Sequence, residues 1–249
     1  MIEIKNLHKS FGDLTVLNGA SIKVEDGQSL VVMGKSGQGK SVLLKLITRL
    51  LHPDSGHIYI DGDDLSTLNQ KELEKCRLKF GMLFQSAALF DSLNIYDNVG
   101  IGIKAYNRYS ESEIATITKE SLERVGLVDV GTKFPSQLSG GMRKRVGLAR
   151  VVAMKPKYIL YDEPTTGLDP VTSAQIAMLI KEMQDDLNVT SIIVTHDIPT
   201  GFFLADKIVL LDDGNFSFVG SVEEMRKSDL KSVQDFISGY KEEADIKFR

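Results

Sequence analysis

Apolar and polar positions alternate over residues 2–7 and 15–24, the pattern of strands with one buried face. Ser10-Phe11-Gly12-Asp13 lies between them and is predicted as their turn. Ser29 to Met33 is a short apolar run of the kind found in strands buried on both faces of a parallel sheet. A helix is predicted from about Gly39 to Leu51, with Val42, Leu43, Leu46, Ile47 and Leu50 on one face and Pro53-Asp54-Ser55-Gly56 as its stop. His57 to Asp61 and Phe80 to Phe84 read as strands on either side of a polar helix at Gln70 to Arg77. From Gln85 to about Val152 strand-like runs vanish, and helical segments replace them, notably Ser112 to Val125 and Gly141 to Met154. Strands return at Tyr158 to Tyr161, Ser191 to Thr195 and Lys207 to Leu211, with a helix of about Val171 to Leu187 between the first two. Asp212-Asp213-Gly214-Asn215 predicts a hairpin turn into Phe216 to Val219. Residues 221–239 read as a helical extension with Met225, Leu230, Val233, Phe236 and Ile237 apolar, and the last ten residues as a charged, fraying tail.

Strands alternating with helices imply an α/β fold whose mostly parallel sheet is covered on both faces. The helical region of about 86–152 is then an insertion into a core spanning residues 1–220. A chain of 249 residues can bury such a core, and 42% apolar with 26% charged residues is ordinary for a globular protein. The net charge of −4 argues against nucleic acid as a partner. A single cysteine, Cys76, excludes an intrachain disulfide and suits a reducing compartment. The short alternating start, Met1 to Lys5, lacks the apolar core of a signal peptide, and no apolar run approaches the roughly eighteen residues that span a bilayer. Work at a membrane would therefore need another chain as anchor.

The chemistry concentrates first at Gly34-Lys35-Ser36-Gly37-Gln38-Gly39-Lys40-Ser41-Val42, which fits the phosphate-loop pattern G-x-x-x-x-G-K-[ST] between an apolar strand and a helix. Its glycines bring backbone N–H groups toward a triphosphate, and the helix beginning near Lys40 adds its positive dipole end. Lys40 suits the β- and γ-phosphates, and the Ser41 hydroxyl suits Mg²⁺. Tyr158 to Glu163 is an apolar strand ending in two carboxylates. Ligands gather at the carboxyl ends of parallel strands, so Asp162 is expected beside the loop as a Mg²⁺ ligand, with Glu163 orienting or deprotonating an attacking water. A plain loop start at Asp-Glu-Pro is the alternative. Leu138-Ser139-Gly140-Gly141 opens a helix that Ser139 can cap. Arg143, Lys144 and Arg145 crowd its positive end, an arrangement that a bound anion would relieve; a capped helix with a solvated basic face is the alternative.

Phosphate loop, Leu-Ser-Gly-Gly, Asp-Glu-Pro and a later Thr195-His196-Asp197, in that order, resemble the nucleotide-binding subunit of an ATP-binding-cassette (ABC) transporter over about residues 2–220. The resemblance implies a P-loop NTPase (RecA-like) core with an N-terminal antiparallel β subdomain and an inserted α-helical subdomain, and an active ATPase using ATP and Mg²⁺. By position it implies that Phe11 stacks on adenine, that Gln85 meets Mg²⁺ and water, that Asp169 communicates across a dimer and that His196 contacts the γ-phosphate. Each residue also has a plainer reading: Phe11 in the core, Gln85 as a strand-end polar residue, His196 as a cap. The family further implies a head-to-tail pair of copies, each ATP lying between the loop at 34–41 of one and Ser139-Gly140-Gly141 of the other. Partner permease subunits would hold the pair peripherally on the cytoplasmic side of the inner membrane.

Two stretches speak to the subfamily. Leu83 to Val99 and Gly140 to Val146 resemble the Mla-type ATPases, which drive phospholipid movement between bacterial membranes with MCE-type proteins. An ATPase importing a polar solute such as an amino acid, and a soluble non-transport cassette ATPase, are the competing readings. Gln38 and Tyr161 depart from common family patterns, in which a small residue and an aliphatic one stand there.

Overall fold

In the computed structural model, residues 1–105 and 109–246 are described, with side chains as far as Gly239; the charged tail expected at the end lies outside the described side chains. Alternation sets the first layer. β1 (Ile2–Phe11) and β2 (Leu14–Val24) pair antiparallel, turning Ile2, Ile4, Leu7, Leu17 and Val24 inward. Phe11 pairs with Leu14, so the turn is only Gly12-Asp13 and the strand runs on through the Ser10-Phe11 expected to turn. All five residues of β3 (Ser29–Met33) are buried, as its apolar run requires. It leads into α1 (Lys40–Ile47), shorter than predicted because Arg49 adopts φ 50 and ends the helical path; Leu50 points outward, 55% exposed, and Leu44 takes its place in the core. β4 (Ser55–Ile60) and β5 (Asp63–Asp64) extend the first sheet. α2 (Gln70–Arg77) follows an Asn69–Glu72 capping box, and β6 (Phe80–Leu83) starts the far edge of the second sheet.

The insertion holds α3 (Ile95–Lys104), α4 (Glu111–Arg124), a 3₁₀ turn at Pro135–Gln137 and α5 (Gly140–Ala153). α3 escaped the pattern reading because three of its ten residues are Gly or Asn. Tertiary contacts fix it. Asn98 is fully buried, accepts from the Phe90 N–H at 2.7 Å, and donates to the carbonyls of Phe90, Leu93 and Asn94 at 3.0 Å each. The chain then runs through β7 (Tyr158–Asp162), α6 (Pro170–Leu187), β8 (Thr190–Thr195), α7 (Ile198–Leu204), β9 (Lys207–Asp212) and β10 (Asn215–Gly220). It ends in α8 (Val222–Arg226) and α9 (Lys231–Ile246), two helices where one was predicted; the break falls at residues 227–230, and Leu230 is half exposed. Met225, Val233 and Phe236 nevertheless join the main core of the same chain.

A four-stranded antiparallel sheet (β2-β1-β4-β5) faces a six-stranded one in the order β10-β9-β3-β8-β7-β6, parallel except for β10. Side chains on successive strand residues point to opposite faces, which divides the core in two. Leu30, Val32, Leu160 and Val194 meet the first sheet and α1; Val31, Met33, Ile159, Tyr161 and Ile193 meet α5, α6 and α7. Tyr161 is fully buried, and its hydroxyl meets the Ser191 hydroxyl without the geometry of a good hydrogen bond. A buried hydroxyl so weakly paired contributes little that a phenyl ring lacks. Tyr161→Phe is therefore expected to leave stability unchanged or raise it by up to about 1 kcal/mol, measured by urea denaturation; a loss of that size would show that the hydroxyl is bonded.

Candidate functional site

β3 delivers the chain into residues 34–39 at its carboxyl end, where the path leaves no room for side chains at two positions. A Cβ on Gly34 would lie 2.5 Å from the Leu211 carbonyl oxygen; one on Gly39 would lie 2.2 Å from Val16 Cγ1, and Gly39 also has φ +90. Lys35, Ser36 and Gly37 are exposed. Gln38 is tied down: its Oε1 accepts the Asp213 N–H at 3.1 Å, fastening the loop to the β9–β10 turn, which the Asn18 N–H also grips at 2.7 Å through Gly214. That bond accounts for a long amide where the family has a small residue. Gly39 caps α1 with no side chain, so the N–H groups of the first turn, Lys40 to Val42, remain for an incoming anion.

The ammonium of Lys40 is folded into its own loop. It donates to the carbonyls of Gly34 (2.7 Å) and Lys35 (3.0 Å) and lies 3.4 Å from Glu163 Oε1. Ser41 Oγ donates to Asp162 Oδ1 at 2.7 Å, so the last residue of β7 stands beside the loop, where the carboxyl-end argument puts it. Glu163 is the next residue and adopts φ 48, a left-handed backbone that costs on the order of 1–3 kcal/mol away from glycine. Its surroundings hold it there. The N–H donates to Val194 O at 2.9 Å, and Oε2 accepts from Thr166 Oγ1 (2.9 Å), Thr195 Oγ1 (3.4 Å) and His196 Nδ1 (2.9 Å). Asp162 and Glu163 are both 8% exposed, so these carboxylates sit in a poorly solvated place with their partners built in.

His196 follows β8 and is partly exposed; it is not a helix cap, because Asp197 caps α7 by accepting the Thr200 N–H at 3.2 Å. Asp169 caps α6, accepting from the N–H groups of Val171 (3.1 Å) and Thr172 (3.0 Å) and from the Thr172 hydroxyl; these bonds, the Thr172 hydroxyl first, draw its pKa below the ordinary carboxylate range. Phe11 is 46% exposed at the end of β1 with Lys9 Nζ 5.1 Å from its ring centre, so the core reading of that residue fails. Gln85 is exposed and lines a cleft of about 410 Å³ with Ala87, Asp91, Arg143, Lys144 and Thr166; neither Ser41 nor Asp162 lines it. Ser139 caps α5 by accepting the Met142 N–H at 3.3 Å, and Gly140 borders the same cleft as Gln85 while the phosphate loop does not.

The three cations after Gly141 do not form the cluster that the sequence suggests. Arg143 alone is exposed. Arg145 turns back to the Val125 carbonyl at 2.8 Å, and Lys144 points inward, 4% exposed, to the Glu163 carbonyl at 3.2 Å. Lys144 and Arg145 thus each find an oxygen within the chain, and Arg143 is left facing solvent. Lys144 is the functional candidate that the pattern reading missed. The signal was present: 141, 144, 148 and 151 follow helical spacing, and all four are buried.

Ser41 Oγ and Asp162 Oδ1 are hard oxygens held side by side, the donor type that Mg²⁺ takes. Among the described residues no group of three or more His, Cys, Asp and Glu gathers to hold a metal unaided.

Comparison with known proteins agrees with this geometry. A protein-family model described as ABC transporter matches residues 17–166. The chain is 41% identical over 238 residues to a probable ribonucleotide transport ATP-binding protein, mkl, of Mycobacterium leprae, covering 96% of this chain and 69% of that protein. It is 40% identical over 240 residues to the intermembrane phospholipid transport system ATP-binding protein MlaF of Haemophilus influenzae, covering 96% of this chain and 90% of that protein. A solved dimeric ATP-binding cassette in a post-hydrolysis state, bound to ADP and Pi, superposes with a TM-score of 0.81 at 33% identity over 89% of this chain and 99% of that one. No described helix is long and apolar enough to cross a membrane. The chain belongs to the ABC transporter family as an ATP-hydrolysing subunit, and within that family it stands near the Mla type.

Proposed function

We propose that this chain powers phospholipid transport between bacterial membranes, working as a pair of copies beneath a partner permease and in concert with an MCE-type lipid-binding protein. Support for the cargo comes from the MlaF likeness, which extends over 90% of that protein, and from the Mla-like stretches at 83–99 and 140–146. The ribonucleotide transport named for the mycobacterial relative is the second reading, a polar-solute transporter on the same cassette.

The chemistry rests on one observation: the pair Ser41–Asp162 and the carboxylate Glu163 converge on the loop that carries Lys40. In this reading the N–H groups of residues 36–42 take the phosphates of ATP, Phe11 offers its open ring to the base, and Lys40 leaves its own loop carbonyls for the β- and γ-phosphate oxygens. Mg²⁺ at Ser41 and Asp162, with Gln85 brought to its outer ligands, would offset negative charge as the β–γ bond breaks. Glu163 Oε2 is already occupied by three donors, whereas Oε1 faces Lys40. Once Lys40 has turned to the phosphates, Oε1 is the oxygen free to take a proton from the attacking water. His196, anchored through Nδ1, keeps its other ring nitrogen for the γ-phosphate. Ser139, Gly140 and Gly141 reach the nucleotide on the second copy, so loss of the γ-phosphate removes contacts that hold the copies together.

Purification of the native complex in detergent, with identification of the bound chains and lipids, tests the cargo. A permease, an MCE-type chain and phospholipid are expected. A permease with a solute-binding protein and no lipid points instead to the polar-solute reading, and a soluble protein without membrane partner contradicts both.

A further inference from the structure

α5 serves two places at once. Its first residues are the ones assigned above to the nucleotide of the second copy, while Lys144, one turn further on, reaches the carboxylate residue of its own chain. Lys144 Nζ donates to the Glu163 main-chain carbonyl at 3.2 Å, an oxygen that also accepts the Thr166 N–H at 3.3 Å. Of the bonds to Glu163, the N–H to Val194 and the side-chain bonds to Thr195 and His196 come from β8 and its end, and the Thr166 bonds come from the loop that follows. The Lys144 bond is the one that arrives from the helical insertion.

Two further observations mark it as a built contact. Burial pushes the Lys144 pKa down to about 8 against the pull of Asp162 and Glu163, so an ammonium is being held in a place that disfavours it. One turn earlier, α5 presses so closely on α6 that a Cβ on Gly141 would lie 2.5 Å from Thr172 Cγ2, and Thr172 in turn donates to Asp169. α5 is thus registered against residues 163–172 at both Gly141 and Lys144, and any shift of the helix is felt at the left-handed backbone of Glu163.

We propose that Lys144 is a positioning residue, which makes the placement of the Glu163 carboxylate depend on how α5 is seated, and so ties hydrolysis at one nucleotide to the grip on the other. The inference deepens the ATPase reading and rests on it. It concerns geometry, so it bears on turnover and leaves ATP binding at the loop alone.

The test is steady-state ATP hydrolysis by the full chain carrying Lys144→Met, Lys144→Leu or Lys144→Arg, with equilibrium binding of ATP measured alongside. Lys144→Met keeps the length and loses the donor; it is expected to lower kcat by about tenfold or more with KM and ATP affinity changed less than about threefold. Lys144→Arg restores the donor and the charge, and is expected to recover most of kcat. Lys144→Leu, which likewise carries no donor, makes the same comparison should the methionine variant not fold. The proposal is overturned if the donor-less variant turns over ATP like the parent, if its kcat and ATP affinity fall together, or if arginine restores nothing. A parent chain that hydrolyses no ATP overturns the underlying ATPase reading instead, which keeps the two failures apart.

Discussion

Glu163→Gln is expected to abolish steady ATP turnover, by about 10²–10⁴-fold for loss of a general base, while the protein retains ATP. The geometry explains why binding survives. The amide oxygen of glutamine can still accept from Thr166, Thr195 and His196, so the left-handed turn at residue 163 keeps its anchors. The amide nitrogen then faces Lys40 in place of a carboxylate oxygen at 3.4 Å, and an NH₂ group has no attraction for an ammonium. Lys40 is released toward the phosphates, and the water loses the oxygen that would take its proton. Phosphate release and retained nucleotide, measured on the same preparation, check both halves. Turnover within a few-fold of the parent would remove Glu163 from the role of base.

Lys40→Ala is expected to produce the opposite signature, a loss of ATP binding itself. Each bond from a charged donor contributes about 1.5–3 kcal/mol, so losing contacts to two phosphates predicts a fall in affinity of at least about a hundredfold. Part of the effect has a structural source. Lys40 is the cation nearest Glu163 Oε1 and holds the loop carbonyls of Gly34 and Lys35 in the absence of nucleotide, so alanine loosens the empty loop as well. Equilibrium titration with a fluorescent ATP analogue reads the affinity, and thermal melting without nucleotide separates the two contributions. Unaltered affinity would detach residues 34–41 from phosphate binding altogether.

The contrast between these variants follows from where their side chains sit, and the same contrast shows what could be read from the sequence. β3, the phosphate loop and β7 were legible because each combines a short apolar run with a charged or glycine-rich end, a pairing that only a parallel sheet edge satisfies. Asp162 beside the phosphate loop follows from that geometry, and the structure gives Ser41 as its partner there. The lesser errors arose where local signals compete with packing. Gly12-Asp13 suffices to turn the first hairpin, so Ser10 and Phe11 stay in the strand; α1 stops at a positive φ on Arg49 that its apolar spacing does not reveal; α3 is carried by the buried amide of Asn98 and lacks helix-forming composition.

At the site, the sequence indicated which residues are chemical but not where they point. Lys144 was grouped with Arg143 and Arg145 because charge in a row looks like a surface, whereas its spacing from Gly141 and Leu148 turns it inward. Gln38 looked like a departure from pattern until the Asp213 amide supplied its partner. The bond from Thr195 to Glu163 depends on two chain segments meeting across β7 and β8, and such a meeting has no local trace in a linear sequence.

In the function proposed above, the nucleotide-site residues serve a single physical device, a nucleotide that joins two copies of the chain until its γ-phosphate is lost. Sedimentation of the Glu163→Gln protein with and without Mg²⁺ and ATP measures that device most directly. The account predicts the mass of one chain without nucleotide, the mass of two with ATP, and one again with ADP. A protein that binds ATP with full affinity yet sediments as a single chain at every concentration tested would contradict it.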